Sequence, residues 1–434
     1  MSGGLIVAAP ASGSGKTLVT LALLHGLRRA GFRVAAAKAG PDYIDPSFHA
    51  LASGAPCLNL DPWAMRPAML AGLVGGLERG ADIVVCEGVM GLFDGTGTDG
   101  ETGSTADLAR RTGWPVVLVV DAKGQGASAA ALVAGFARHD PGVAIAGVIF
   151  NRVAGARHRA VLEAAVARHL PDLPCLGAVP ADPALVLPAR HLGLVPATEA
   201  APAAATAETA AAGLDISGLA ALARPSLLAG GEPAAPLPPL GQRIAVARDD
   251  AFAFAYPAVL DGWRRQGAQV TLFSPLADEA PDGDAVYLPG GYPELHAGKL
   301  AGAANFREGL RRAASSGAAI YAECGGYMVL GEALEDLQGI TYEMAGVLPL
   351  TTSFAERRLH LGYREARLTG DAAFGQTGAR FRGHEFHYAT IQRERGAEPL
   401  FDLRDASGKE LGACGLRVGR VAGSFIHLID RMGD

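Results

Sequence analysis

The stretch that most constrains the fold lies at the start of the chain. The apolar run Leu5-Ile6-Val7-Ala8-Ala9 leads directly into Ala11-Ser12-Gly13-Ser14-Gly15-Lys16-Thr17. A buried strand, a glycine-rich turn and a helix-forming run in that order belong to a parallel sheet covered by helices. Such a turn directs successive backbone N–H groups, and the positive end of the following helix, at phosphate oxygens. Ser12, Gly13, Ser14 and Gly15 are the expected cradle, Lys16 the residue that reaches the β/γ-phosphates, and Thr17 the hydroxyl that ligates magnesium. The motif is a variant, with Pro10 and Ala11 standing ahead of the loop.

Further apolar runs at 33–37, 82–86, 115–120 and 143–149 alternate with helical candidates at 16–30, 66–79, 104–112, 125–138 and 155–169. This alternation predicts an α/β domain over residues 1–195 with a mostly parallel sheet. Ligands collect at the carboxyl ends of strands in such sheets. Asp42 and Asp45 follow the second run, and Glu87 follows the third, where hard oxygen donors for magnesium are expected. Asp94 lies beyond Glu87 in a glycine-rich loop. Asn151 ends a later strand, where it is a candidate for the edge of the nucleotide base, and Asp121 is a candidate cap for the next element.

A second chemistry-bearing turn lies in the other half, in Ile320-Tyr321-Ala322-Glu323-Cys324-Gly325-Gly326. Cys324 at a strand-to-helix turn, with two glycines after it, is placed as a nucleophile would be. A helix N-terminus stabilises a thiolate. Thioester chemistry also needs a base and backbone N–H donors for the oxyanion. Gly325, beside the cysteine, and Gly291, in Pro289-Gly290-Gly291-Tyr292-Pro293-Glu294, are the expected donors. His427 closes an apolar segment and is the expected base, although spacing alone does not choose it over His384 or His387.

The 434 residues exceed one ordinary core. A linker is expected at 196–240, where an alanine-rich stretch, helical in part, gives way to glycine and proline. A second α/β domain with antiparallel additions is expected at 241–434. The net charge of −6 gives no support to a nucleic-acid surface. No signal peptide or membrane-spanning run is read. Five scattered cysteines without CxxC pairs argue against a disulfide scaffold and for a reducing cytoplasm. A homodimer is the default expectation.

Four stretches together resemble one family. They are Lys38-Ala39-Gly40-Pro41-Asp42-Tyr43-Ile44-Asp45-Pro46, Glu87 to Gly95, Phe252-Ala253-Phe254-Ala255-Tyr256 and Gly383-His384-Glu385-Phe386-His387-Tyr388. The chain resembles the cobyrinic acid or hydrogenobyrinic acid a,c-diamide synthases of corrin biosynthesis over nearly its whole length. Its first half is similar to dethiobiotin synthetase-like P-loop ATPases and its second to class I glutamine amidotransferase domains. The resemblance implies that Cys324 is a glutaminase nucleophile with His427 as its base. It assigns Thr17, Asp45 and Glu87 to magnesium, Asp42 and Tyr43 to the ring substrate, and Asp94 to the corrinoid carboxylates or the phosphoryl intermediate. Class I amidotransferases usually carry Glu two residues after that histidine, where this chain has Ile429. A cysteine–histidine dyad without that Glu is usual in the corrinoid branch, and Glu323, Glu385 and Asp430 are open as ring-orienting groups.

The implied reaction uses MgATP to phosphorylate a ring carboxylate and ammonia from L-glutamine to convert the acyl phosphate to an amide, at the a and c positions in turn. Cobyric acid synthase-like amidation of other carboxylates is the nearest rival. A ParA-like regulatory ATPase with a non-catalytic second half is the rival of a different class, and Ala11 stands where those proteins carry an extra lysine.

Overall fold

The computed structural model describes residues 2–97, 99–185, 200–228 and 230–433, with side chains omitted for 200–204. The chain divides into two compact units, one of Met1–Trp63 and Pro67–Pro233, the other of Ala64–Arg66 and Ala234–Asp434.

The first unit is built on seven strands: β1 (Gly3–Ala8), β2 (Val34–Ala39), β3 (Leu58–Leu60), β4 (Ile83–Glu87), β5 (Val116–Asp121), β6 (Ile145–Val153) and β7 (Cys175–Pro180). They lie in the order β3-β2-β4-β1-β5-β6-β7, and every pairing is parallel. Runs of Val, Ile and Ala form these strands because a parallel sheet covered on both faces has no solvent side for polar residues. Helix α1 (Lys16–Arg29) follows β1 and buries Val19, Leu23 and Leu27 against Leu5, Val85 and Val117 of the sheet. Because β1 lies between β4 and β5, its loop opens beside the end of β4. The register pairs Val7 with Glu87, and Lys38 of β2 with Glu87.

The segment expected as a linker is partly structured. Ala200–Ala211 and Ile216–Leu222 are helices of the first unit, packed on α1. Gly26 permits the approach, since a side chain there would meet Ile216 Cδ1 at 2.4 Å. An alanine-rich run lacks the apolar–polar contrast that marks a packed helix in sequence, yet alanine is the strongest helix former. The expected boundary at 195/196 lies outside the described residues.

The second unit carries a ten-stranded sheet. Its parallel half contains β8 (Arg243–Ala247), β9 (Gln269–Phe273), β10 (Ala285–Leu288), β11 (Ala319–Glu323) and strand Val421–Ser424. The antiparallel half adds His360–Leu368, Arg380–His387, Glu398–Asp405, Glu410–Val418 and Ile426–Arg431, and a separate four-stranded sheet covers part of the unit. Phe252, Phe306, Leu288, Ile320 and Tyr327 lie in its core. Arg66 belongs here. Its side chain and backbone N–H bond to the fully buried Asp430, at 2.7 to 3.1 Å.

Candidate active sites

In the first unit the carboxyl ends of β1, β2 and β4 open on a cleft of about 840 Å³, whose walls include Ser12, Gly13, Gly15, Lys16 and Thr17. Gly15 sits at φ 96°, a left-handed conformation that side chains resist, and this turns the chain into α1. Lys16 is largely buried, which lowers its pKa, and its Nζ donates to the Met90 carbonyl at 2.5 Å. Asn151 also lines the cleft. Its Nδ2 donates to the Ser14 carbonyl at 2.9 Å and its Oδ1 accepts from the Arg152 N–H, so the amide braces the loop from below. Asp121 accepts from the Lys123 N–H in a local turn and pairs with Arg152; it does not cap the next helix, whose N-cap is Ser128.

Opposite the loop lies a cluster of buried charges. The Nζ of Lys38 is 2.7 Å from Asp45 Oδ2, 3.1 Å from Glu87 Oε1 and 3.6 Å from Asp42 Oδ2. Burial opposes its charge, but Asp45, Glu87 and Asp42 together hold the ammonium protonated far above the usual lysine range. Burial likewise opposes ionisation of Glu87, and Lys38 together with His49 keeps that carboxyl below the ordinary range. Thr17 donates its hydroxyl to Glu87 Oε1 at 2.8 Å, and His49 Nε2 lies 2.6 Å from Glu87 Oε2. Burial and the neighbouring Asp45 push Asp42 up to about 6. Its Oδ1 accepts the Ile44 N–H at 2.8 Å.

Tyr43 is buried rather than offered to the cleft. Asp94 is exposed at the rim and caps its own loop through the Gly91 N–H at 2.9 Å, near enough to help hold the charge on Lys16.

In the second unit, Cys324 joins β11 to helix Gly325–Leu330 with φ 48° and ψ −109°, a strained backbone for a residue with a side chain. Its N–H donates to the Ser424 carbonyl at 2.8 Å, and its thiol donates to the Phe386 carbonyl at 3.8 Å. Burial, with Glu294 adding to it, pushes the thiol well above its ordinary range. Gly291 lies beside Gly325, as a side chain on Gly325 would come within 3.0 Å of the Gly291 nitrogen. The two expected amide donors are therefore brought together.

Cys324 and His427 both pack against Gly290. A side chain there would lie 2.4 Å from His427 Cε1, 3.1 Å from His427 Nε2 and 3.2 Å from Cys324 Cβ. His427 Nε2 and the Cys324 side chain thus flank the same glycine. His384 is the cross-strand neighbour of His427, and His387 is bonded to Ala389 and Glu385.

Two family models divide the chain between them. The CobQ/CobB/MinD/ParA nucleotide binding domain matches residues 5–195, and the CobB/CobQ-like glutamine amidotransferase domain matches residues 243–432. The chain is 55% identical to the hydrogenobyrinate a,c-diamide synthase of Brucella suis biovar 1 over 99% of both chains. It is also 55% identical to that of Rhizobium meliloti, over 98% of this chain and 99% of the relative. The chain belongs to the hydrogenobyrinate a,c-diamide synthase family. Membership rules out the reading as a regulatory ATPase with an inert second half, because the likeness runs through both domains.

Within this family the two sites carry groups that motif reading passed over. Lys38 stands in the sequence only as the first residue of the Lys38–Pro46 stretch, and nothing local to it signals a buried ammonium. His49, four residues past Asp45, meets Glu87 only because helix α2 (Asp45–Ser53) turns it inward. Gly290 shares its turn with Gly291, and nothing in the sequence says which of the two lies against the histidine.

Proposed function

We propose that the chain catalyses the ATP- and glutamine-dependent amidation of the a and c side-chain carboxylates of hydrogenobyrinic acid, the ring without cobalt. What carries this reading is full-length identity of 55% to proteins named for that reaction, joined to a phosphate-loop cleft and a cysteine–histidine pair in one chain.

In the glutaminase half, the Cys324 thiol passes its proton to His427 Nε2 as sulfur attacks the side-chain amide carbon of glutamine. The amides of Gly291 and Gly325 meet the oxyanion. Collapse of that intermediate breaks the C–N bond, the His427 proton goes to the leaving nitrogen, and ammonia departs. Water then attacks the thioester, again losing its proton to His427, and releases glutamate and the thiol.

In the other half, a ring carboxylate oxygen attacks the γ-phosphorus of ATP and ADP leaves. Ammonia then attacks the acyl phosphate and phosphate leaves. A carboxylate is a poor acyl donor because its leaving group would be oxide, and phosphorylation removes that obstacle. Gly13, Gly15, Lys16 and Ser14 hold the phosphates, and Asn151 keeps the loop in shape. Lys38 adds a second cation on the cleft wall.

Thr17, Asp45 and Glu87 are hard oxygen donors, and the structure already places a positive charge, the Lys38 ammonium, among them. They suit magnesium, which would neutralise charge on the phosphates when bound. Asp42 at the cleft wall and Asp94 at its rim are our candidates for the ring carboxylates, with Tyr43 supporting the Asp42 turn.

The test is an amidation assay offering hydrogenobyrinic and cobyrinic acids side by side with MgATP and glutamine, with products read by mass. A diamide of the metal-free acid is expected. Absence of amide products from both acids would sink the proposal.

A further inference from the structure

His427 is fully buried, and burial, with His384 and His387 nearby, depresses its pKa well below the ordinary value. A base in such a place accepts a proton only if something compensates the imidazolium it becomes. Of the three carboxylates left open by the sequence, two are committed elsewhere. Asp430 is held by Arg66. Glu385 bonds Arg364 Nε at 2.7 Å and His387 Nε2 at 3.0 Å.

Glu323 remains, and its setting is specific. Its Oε2 lies 3.8 Å from His427 Nδ1, whereas Nε2 is the ring nitrogen nearer Gly290 and the cysteine's side of the turn. Tyr287 donates its hydroxyl to Oε2 at 2.7 Å, Tyr321 donates to Oε1 at 3.0 Å, and the Leu428 N–H donates to Oε1 at 3.0 Å. Three donors anchor the carboxylate, one of them from the residue next to His427. Contacts of this kind are often long before substrate binds.

We propose that Glu323 is the positioning residue of the glutaminase reaction: it holds His427 as the Nδ1–H tautomer, leaves Nε2 unprotonated to take the Cys324 proton, and stabilises the imidazolium that results. The carboxylate comes from the residue immediately before the nucleophile, rather than from the position two past the histidine, where Ile429 stands. Strand pairing makes this possible. Glu323 pairs with Ser424 in the sheet, and only three residues beyond Ser424 the chain presents His427. This inference rests on the Cys324–His427 reading above and adds its third member.

The test compares Glu323→Gln with Cys324→Ala and the native chain. If Glu323 positions the base, Glu323→Gln lowers the glutamine-dependent kcat by about 30-fold or more, as loss of an orienting carboxylate does in other triads. KM for glutamine stays within about threefold, because the group does not touch substrate. A glutamine-dependent kcat within about threefold of native would overturn the inference, while an inactive Cys324→Ala leaves the nucleophile assignment standing. If Cys324→Ala still used glutamine, both would fall.

The native protein supplies a second measurement that needs no stable variant. With 15N-labelled histidine, His427 assigned by difference from His427→Gln should show a protonated Nδ1 and an unprotonated Nε2. The opposite tautomer would overturn the inference.

Discussion

The ammonium of Lys38 and the carboxylate of Asp45 meet at 2.7 Å with both side chains about 95% buried, so each is the other's substitute for water. Removing one member of a buried pair leaves an uncompensated charge, typically at a cost of about 3–5 kcal/mol. Lys38→Met should lower the melting temperature of the first unit clearly. Added magnesium should then stabilise the variant more than the native protein, because the ion supplies the missing charge to the same oxygens. Thermal unfolding with and without magnesium chloride reads this, and equal magnesium responses would count against a shared site.

Gly290 has no room for a side chain. Gly290→Ala would place a methyl 2.4 Å from His427 Cε1 and 3.2 Å from Cys324 Cβ, so the ring must move. Overpacking of this kind costs about 1–3 kcal/mol. A displacement of the base by an ångström should lower glutamine hydrolysis about 10²-fold. Amidation driven by added ammonia, which bypasses this site, should be spared. Steady-state rates with glutamine and with ammonium chloride separate the two.

Glu294 carries a buried Oε2 with no hydrogen-bond partner among the described residues, and burial raises its pKa to about 7. Below the unfolded value near 4.5 the group is protonated in both states and costs nothing. As pH rises through 7 the folded state must carry a buried charge, so stability is lost between about pH 4.5 and 7. Glu294→Gln should therefore be more stable than native by roughly 3 kcal/mol at pH 8, with the gain gone by about pH 4. Denaturant unfolding across that range checks the sign.

Asn151 donates to the Ser14 carbonyl from beneath the phosphate loop. Asn151→Ala removes one hydrogen bond, worth about 1 kcal/mol net, and leaves the carbonyl without its partner. KM for ATP should rise several-fold while the glutamine-driven and ammonia-driven rates at saturating ATP stay close to native.

The phosphate loop, the acids at strand ends and the cysteine turn were legible because each is local. An apolar run followed by glycine, or by a carboxylate, is a pattern within one stretch of chain. What escaped depends on distant partners. Lys38 gains its meaning from Asp45 and Glu87, and Glu323 from a ring 104 positions later that strand pairing brings alongside. Glu398–Asp405 and Glu410–Val418 are hard to read as strands because exposed and charged positions interrupt their apolar pattern. The alanine-rich stretch is legible as partly helical, but the packing of the helices at 200–211 and 216–222 on the first unit is not, because alanine packs closely without advertising a face.

The short excursion Ala64–Arg66 bears on how far the protein is modular. Its second unit is not one continuous piece of sequence, and the guanidinium that neutralises Asp430 is encoded some 360 residues upstream of it. A fragment begun at Ala234 would keep the nucleophile, its base and the whole ten-stranded sheet, yet strand a carboxylate with no solvent to turn to. The two activities cannot be cloned apart at the obvious junction without also supplying that arginine or retiring that aspartate. A bicistronic version of this enzyme would have to be designed around three residues.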